Sequence, residues 1–168
     1  MALSTDKTIS VLNDLIETCK DGEYGFQSSA EHVKNPELQQ VFTARAAECR
    51  KGAEVLQAQV RQLGGEADEG GSASGAIHRG WVAVKGTLSG YGEKAMLEEC
   101  ERGEDAALAR YRDALKEDLP PNVRARMTFV EGDMTTLDLG RRFALIVAPS
   151  RVFQFALTTA AQRGALRA

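Results

Sequence analysis

The stretch Leu97–Leu115, LEECERGEDAALARYRDAL, constrains the fold most. Its apolar residues Leu97, Leu108, Tyr111 and Leu115 recur at three- and four-residue steps, the spacing of one face of an α-helix. Two places on that stripe are filled by Glu101 and Glu104. A helix that points two carboxylates at its own inward face must pair, neutralise or metallate them, because an isolated buried carboxylate is expensive. That requirement is the strongest functional clue in the sequence.

Two more long helices are predicted ahead of it. The first starts at Ser4 or Thr5, where capping side chains are available, and runs to about Val33. Ile9, Leu12, Ile16, Cys19, Phe26, Ala30 and Val33 form its inward stripe, in which Glu23 takes the missing place between Gly22 and Gly25. Asn35-Pro36 breaks the chain, and proline suits the first turn of the next helix. That helix spans about 36–63, with Leu38, Phe42, Cys49, Ala53, Leu56, Val60 and Leu63 inward, and Gly64-Gly65 ends it. A turn this short makes the two helices an antiparallel pair. Levels match where two residue numbers sum to about 70, as expected for a turn centred near residue 35. Glu23 and Glu48 are therefore expected at one height.

Residues 64–75, GGEADEGGSASG, read as a linker; its 12 residues reach about 40 Å when extended. A further helix is predicted over 76–89, with Ile77, Trp81, Val84 and Leu88 apolar and His78 beside them; Trp81 is expected in the core. Gly90-Tyr91-Gly92 then turns the chain into a helix over 93–118, which places His78 level with Glu104 and about a turn from Glu101. His32 lies at the other end, near the first turn, and is expected at the surface.

After Pro120-Pro121 the pattern changes. Met127–Glu131 and Phe143–Ala148 (FALIVA) read as strands, and 154–167 as a weak helix. The charge changes too. Residues 1–119 carry 21 acids and 14 bases, whereas 120–168 carry 3 acids and 7 bases, all arginine. Net charge thus moves from -7 to +4, a break that argues for two segments, 1–119 and 120–168.

The acids converge on a familiar chemistry. Dimetal sites in four-helix bundles take a Glu from each of two helices and Glu-x-x-His from the other two. The candidate metal ligands here are Glu23, Glu48, His78, Glu101 and Glu104, a carboxylate-rich set suited to iron, manganese or zinc. Two departures stand out: the place for a second-helix histidine holds Lys51, and the helix over 93–118 offers Glu-x-x-Glu. The competing reading is a metal-free bundle whose acids are satisfied by lysine, arginine and water.

The runs LNDLIETCKDGEYGFQSSAEHVKNPELQQVF, AIHRGW and LEECERGEDAALARYRDALKEDLPP resemble a bacterial family of ferritin-like four-helix-bundle proteins with no assigned activity. The resemblance covers about residues 4–123 and implies a mainly α fold, a ferritin-like antiparallel four-helix bundle with a short C-terminal strand and helix tail. The five candidate ligands fall on recurrent polar positions of that family. The tail, VRARMTFVEGDMTTLDLGRRFALIVAPSRVFQFALTTAAQRGALR, resembles a fragment of a class I SAM-dependent methyltransferase. That resemblance implies that Asp133 and Met134 would face an adenine if SAM bound. No glycine-rich loop precedes them, so SAM binding by this chain alone is not expected. Residues 132–142 are too short for a parallel crossover of a dozen or more residues. The FALIVA edge is an expected site of self-pairing, and hence of a homodimer.

Several classes are excluded by composition. At 43% hydrophobic and 27% charged, with a net charge of -3, the chain can bury a core and shows no nucleic-acid footprint. No apolar run approaches a membrane span, and the first residues show no secretory pattern. Cys19, Cys49 and Cys100, an odd number on helical patterns, read as buried thiols in a reducing compartment, the cytoplasm. Whether the protein is an enzyme is left open by the sequence.

Overall fold

The computed structural model describes residues 3–69 and 93–124. Three long helices dominate: α1 (Thr5–His32), α2 (Pro36–Gln62) and α3 (Glu93–Lys116), followed by one turn, α4 (Pro121–Arg124). No strand occurs among the described residues. The expected helix over 76–89 and the expected tail strands lie outside them, as do His78, Trp81, Asp133 and Met134. The described architecture is mainly α, as the sequence predicts.

Local chemistry sets the helix ends. Ser4 Oγ accepts the Lys7 amide at the start of α1. Asn35 Oδ1 accepts the amides of Glu37 and Leu38 at the start of α2, with Pro36 in the first turn. Gly64, at φ +80°, ends α2, and the Gly65 amide returns to the Val60 carbonyl at 3.0 Å. This is the left-handed glycine cap that satisfies orphan helical carbonyls.

α1 packs on both α2 and α3. Its register with α2 follows the predicted sum: Phe26 stacks on Phe42 with ring centroids 6.2 Å apart, and Gln39 Nε2 donates to the Ala30 carbonyl at 3.2 Å. Helix α3 starts beside the α1–α2 turn, where Glu93 Oε1 accepts the Asn35 amide at 2.9 Å. It finishes near the start of α1, where the Leu3 amide donates to the Asp118 carbonyl at 2.9 Å. α3 is therefore antiparallel to α1 and parallel to α2.

The core divides into two clusters. One holds Leu12, Leu15, Ile16, Cys19, Ala53, Leu56, Val60, Ala114, Leu119 and Val123. The other holds Phe26, Ala30, Val33, Phe42, Ala46, Met96 and Cys100. Between them lies a waist made of residues 20–25 of α1, 47–52 of α2 and 101–110 of α3. On α3 the inward face is rotated from the predicted stripe. Met96, Cys100, Glu104 and Ala114 are buried, while Leu97 is 42% exposed. The residues that fill this face are small or flexible, so the larger Leu97 misled the periodicity.

The start of the predicted linker is held in place. Asn13 Nδ2 donates to the Glu66 carbonyl at 3.1 Å, and Asn13 Oδ1 accepts the Asp68 amide at 3.0 Å. Gln57 Nε2 donates to the Asp68 carbonyl at 2.8 Å. Residues 66–68 thus lie against α1 and α2 through backbone hydrogen bonds that composition did not reveal.

Candidate functional site

The waist is where the sequence places its carboxylates, and it is closed by arginine. Arg45, one turn before Glu48 on α2, directs one guanidinium nitrogen to Glu48 Oε2 at 2.9 Å and the other to Glu104 Oε1 at 2.7 Å. Glu104 is 8% exposed, the one charged residue among the buried ones described. The guanidinium is nearly as deep, whereas the Glu48 side chain is 48% exposed. Arg45 therefore enters from a partly wet edge and reaches a dry carboxylate on α3.

The electrostatics follow from that depth. Burial pushes the Glu104 carboxyl above the usual carboxylate range, and Arg45 opposes the rise through its charge and its hydrogen bond. Burial also works against the Arg45 charge, but Glu104 and Glu48 more than offset it, so the guanidinium is held in its charged form. A planar guanidinium has the donor geometry for two carboxylates at once.

The remaining candidate ligands are arranged differently. Glu23 is level with Glu48, as the antiparallel register predicts, yet it turns to Arg50, whose Nε donates to Glu23 Oε1 at 2.6 Å. Lys20 adds a second cation 3.6 Å from Glu23 Oε2. Glu101 lies partly exposed at the rim of α3, one turn from Glu104. His78 is outside the described residues. Among the described residues, no group of three or more His, Cys, Asp or Glu is placed to hold a metal ion. Glu23, Glu48 and Glu104 meet two arginines.

One thiol, Cys49, lies in the waist, and Cys19 and Cys100 lie in the clusters on either side of it. Cys19 Sγ lies 3.1 Å from Tyr111 Oη, and Cys100 Sγ lies 3.3 Å from Ser29 Oγ. Cys49 packs on the backbone of α1: a Cβ at Gly22 would sit 2.9 Å from Cys49 Sγ. Gly22 is thus a notch that lets α2 approach. Burial pushes Cys49 up to about 12 and Cys100 up to about 11, and also raises Cys19. The thiolate is the reactive form of cysteine, so these three are packing residues and weak polar partners at neutral pH.

On the α3-facing side of α1, Arg110 Nη1 donates to Thr18 Oγ1 at 3.1 Å. Beside it Asp21 is pushed up to about 6, first by burial and then by Glu17, with Arg110 opposing. Its Oδ1 is buried without a hydrogen-bond partner.

Arg45 is the residue of this cluster that the sequence did not point to. The sequence reading left the acids to lysine, arginine and water without singling out Arg45. The available signal was spacing: Arg45 lies three residues before Glu48 and one before the core residue Ala46. Its long apolar stem can follow the core edge while the head finds a carboxylate.

Residues 7–117 match the family model described as a domain of unknown function, DUF2383. No curated protein matches the chain. Among the described residues, no helix is long and apolar enough to cross a membrane. The chain belongs to the DUF2383 family.

Proposed function

We propose that this chain is a ferritin-like helical bundle that serves as a structural or interaction module, its waist closed by arginine. The observation that carries this reading is the Arg45 guanidinium bridging buried Glu104 on α3 and Glu48 on α2. An internal cation supplied by the protein meets the electrostatic need that an inward carboxylate creates. Glu23 is met from the solvent side by Arg50, whose side chain is 54% exposed.

A metal centre is the second reading, favoured because acids from two helices converge on a single positive charge. With the guanidinium displaced, Glu48 and Glu104 would become donors, and Glu23, Glu101 and His78 complete the set that the sequence offers to iron, manganese or zinc. Such an ion would supply oxygen or peroxide chemistry, or storage. The experiment compares thermal unfolding of the full chain with and without Fe(II), Mn(II) and Zn(II), alongside metal analysis after mild purification. The arginine-closed reading expects an unmoved midpoint and no stoichiometric metal. One or two bound equivalents, with a raised midpoint, would replace it with the metal reading.

For residues 123–168 the reading rests on sequence. FVEGDM and FALIVAPSRVFQ resemble methyltransferase strands without the glycine-rich loop that holds SAM, so we read the tail as an inactive remnant. A SAM titration with detectable heat would reverse that. The apolar FALIVA run supports self-association into a homodimer. A chain ending at Arg124 that keeps the full-length oligomeric mass would remove that role.

A further inference from the structure

The chain on either side of the family-matched residues 7–117 meets at one end of the bundle. The Leu3 amide donates to the Asp118 carbonyl at 2.9 Å, and the Leu3 side chain packs on the cluster around Leu12 and Ile16. Beyond α3, the Leu119 amide bonds the Glu117 carbonyl at 2.9 Å. The amides of Val123 and Arg124 both return to the Pro120 carbonyl at 2.9 Å. Arg124 Nη1 donates back to the Glu117 carbonyl at 3.2 Å. Leu119 and Val123 are 3% and 1% exposed, inside the same cluster as Leu15 and Val60.

These features have one cause. Pro120 and Pro121 cannot continue α3, because each lacks an amide and clashes with the preceding turn. The same pair favours a new helical turn, α4, at an angle to the old axis. Redirected there, the chain drops two aliphatic side chains into the core instead of leaving the bundle along α3. At the opposite end of α3, Glu93 meets Asn35 through an exposed hydrogen bond, and Met96 and Cys100 are held in the other cluster.

We propose that residues 117–124 are a strap that fastens the first turn of α1 to the last turn of α3. This end of the bundle opens only when Leu119 and Val123 leave the core. The cooperative unit therefore extends to Arg124, past the family-matched region.

Hydrogen exchange read by mass spectrometry on the full chain tests the strap. In Val123→Asp, exchange over residues 3–12 and 112–119 is expected to speed at least tenfold, while residues 26–46 stay unchanged. Val123→Ala gives a smaller effect at the same places and keeps the test valid if the aspartate variant does not fold. Asn122→Ala, at an exposed position of α4, changes neither region. Unchanged exchange over 3–12 in both Val123 variants would overturn the strap. So would an equal rise across the whole bundle, which would make Val123 an ordinary core residue.

Discussion

Along its seam with α2, helix α1 meets its partner through apolar side chains and a glycine notch. Leu12, Ile16 and Phe26 face Ala53, Leu56, Val60 and Phe42, and Cys49 rests against Gly22. Along its seam with α3, where Ala114 and Met96 join the two apolar clusters, side-chain hydrogen bonds are added: Cys19 with Tyr111, Ser29 with Cys100, Thr18 with Arg110. Arg45 adds a buried ion pair from α2 to the same face of α3. An apolar seam depends on volume and tolerates swaps that conserve it. A polar seam depends on each partner being present, because a stranded buried group carries its whole desolvation penalty. The two sides of α1 should therefore answer mutation differently.

The largest effect is expected at Arg45. Arg45→Met leaves the Glu104 carboxylate buried and unpaired, a change that costs about 3–5 kcal/mol. Adding Glu104→Leu removes the stranded charge and is expected to restore most of that loss, since well-packed apolar replacements of buried ion pairs are often neutral. Chemical denaturation of the wild type, the single variant and the double variant reads both steps. A single-variant loss below about 1 kcal/mol would place the pair among ordinary surface bridges and erase the contrast.

The notch on the other seam is tested by Gly22→Ala. Alanine raises helix propensity by about 1 kcal/mol, but its Cβ would sit 2.9 Å from Cys49 Sγ, and overpacking of this kind costs about 1–3 kcal/mol. A net loss is expected in the wild type. In a Cys49→Ala background the clash is gone and the same substitution is expected to stabilise by about 1 kcal/mol. An identical effect in both backgrounds would mean that the close approach does not shape this seam.

Asp21 gives a pH signature to the α3 side of α1. Its carboxyl is raised to about 6, so the folded state holds the proton more tightly than the unfolded chain. That contribution to stability is fully present below the unfolded value, about 3.9, and is lost as pH rises through 6. Asp21→Asn is expected to leave stability unchanged near pH 4 and raise it near pH 8. The gain is about 1 kcal/mol, reduced by the half-exposed position of the group. Equal stability at pH 8 would show that Arg110 already satisfies Asp21.

The two seams also differ in how far the sequence revealed them. Asn35-Pro36 set the antiparallel register of α1 and α2, and the apolar stripe named most of their core residues, though not Leu15 or Ala46, because burial leaves a periodic trace. The inward place of Glu104 was legible as a polar gap in a stripe. Its partner was not: an arginine side chain spans enough distance that its level on α2 does not fix which carboxylate it meets. On α3 the inward residues Cys100 and Ala114 are small, so their side of the helix lacked the hydrophobic weight to outvote Leu97. The Asn13 contacts to residues 66–68 use backbone groups of the partner segment, which no side-chain pattern records.

The mildest test addresses the polar seam itself. Tyr111→Phe keeps the ring that packs on the cluster near Cys19 and removes only the hydroxyl bonded to the thiol. Burial holds the Tyr111 phenol protonated, so no charge changes with the substitution. A neutral hydrogen bond contributes about 0.5–1.5 kcal/mol, and a thiol is a weak partner. A loss of about 0.5 kcal/mol is expected, read as a small shift in the denaturation midpoint at unchanged slope. A Cys19→Ala, Tyr111→Phe cycle then separates the bond from the packing, because only the bond makes the two losses non-additive. Additive losses would mean that α1 and α3 are held by ring and aliphatic contacts after all, and that the chemistry of the two seams differs in name more than in energy.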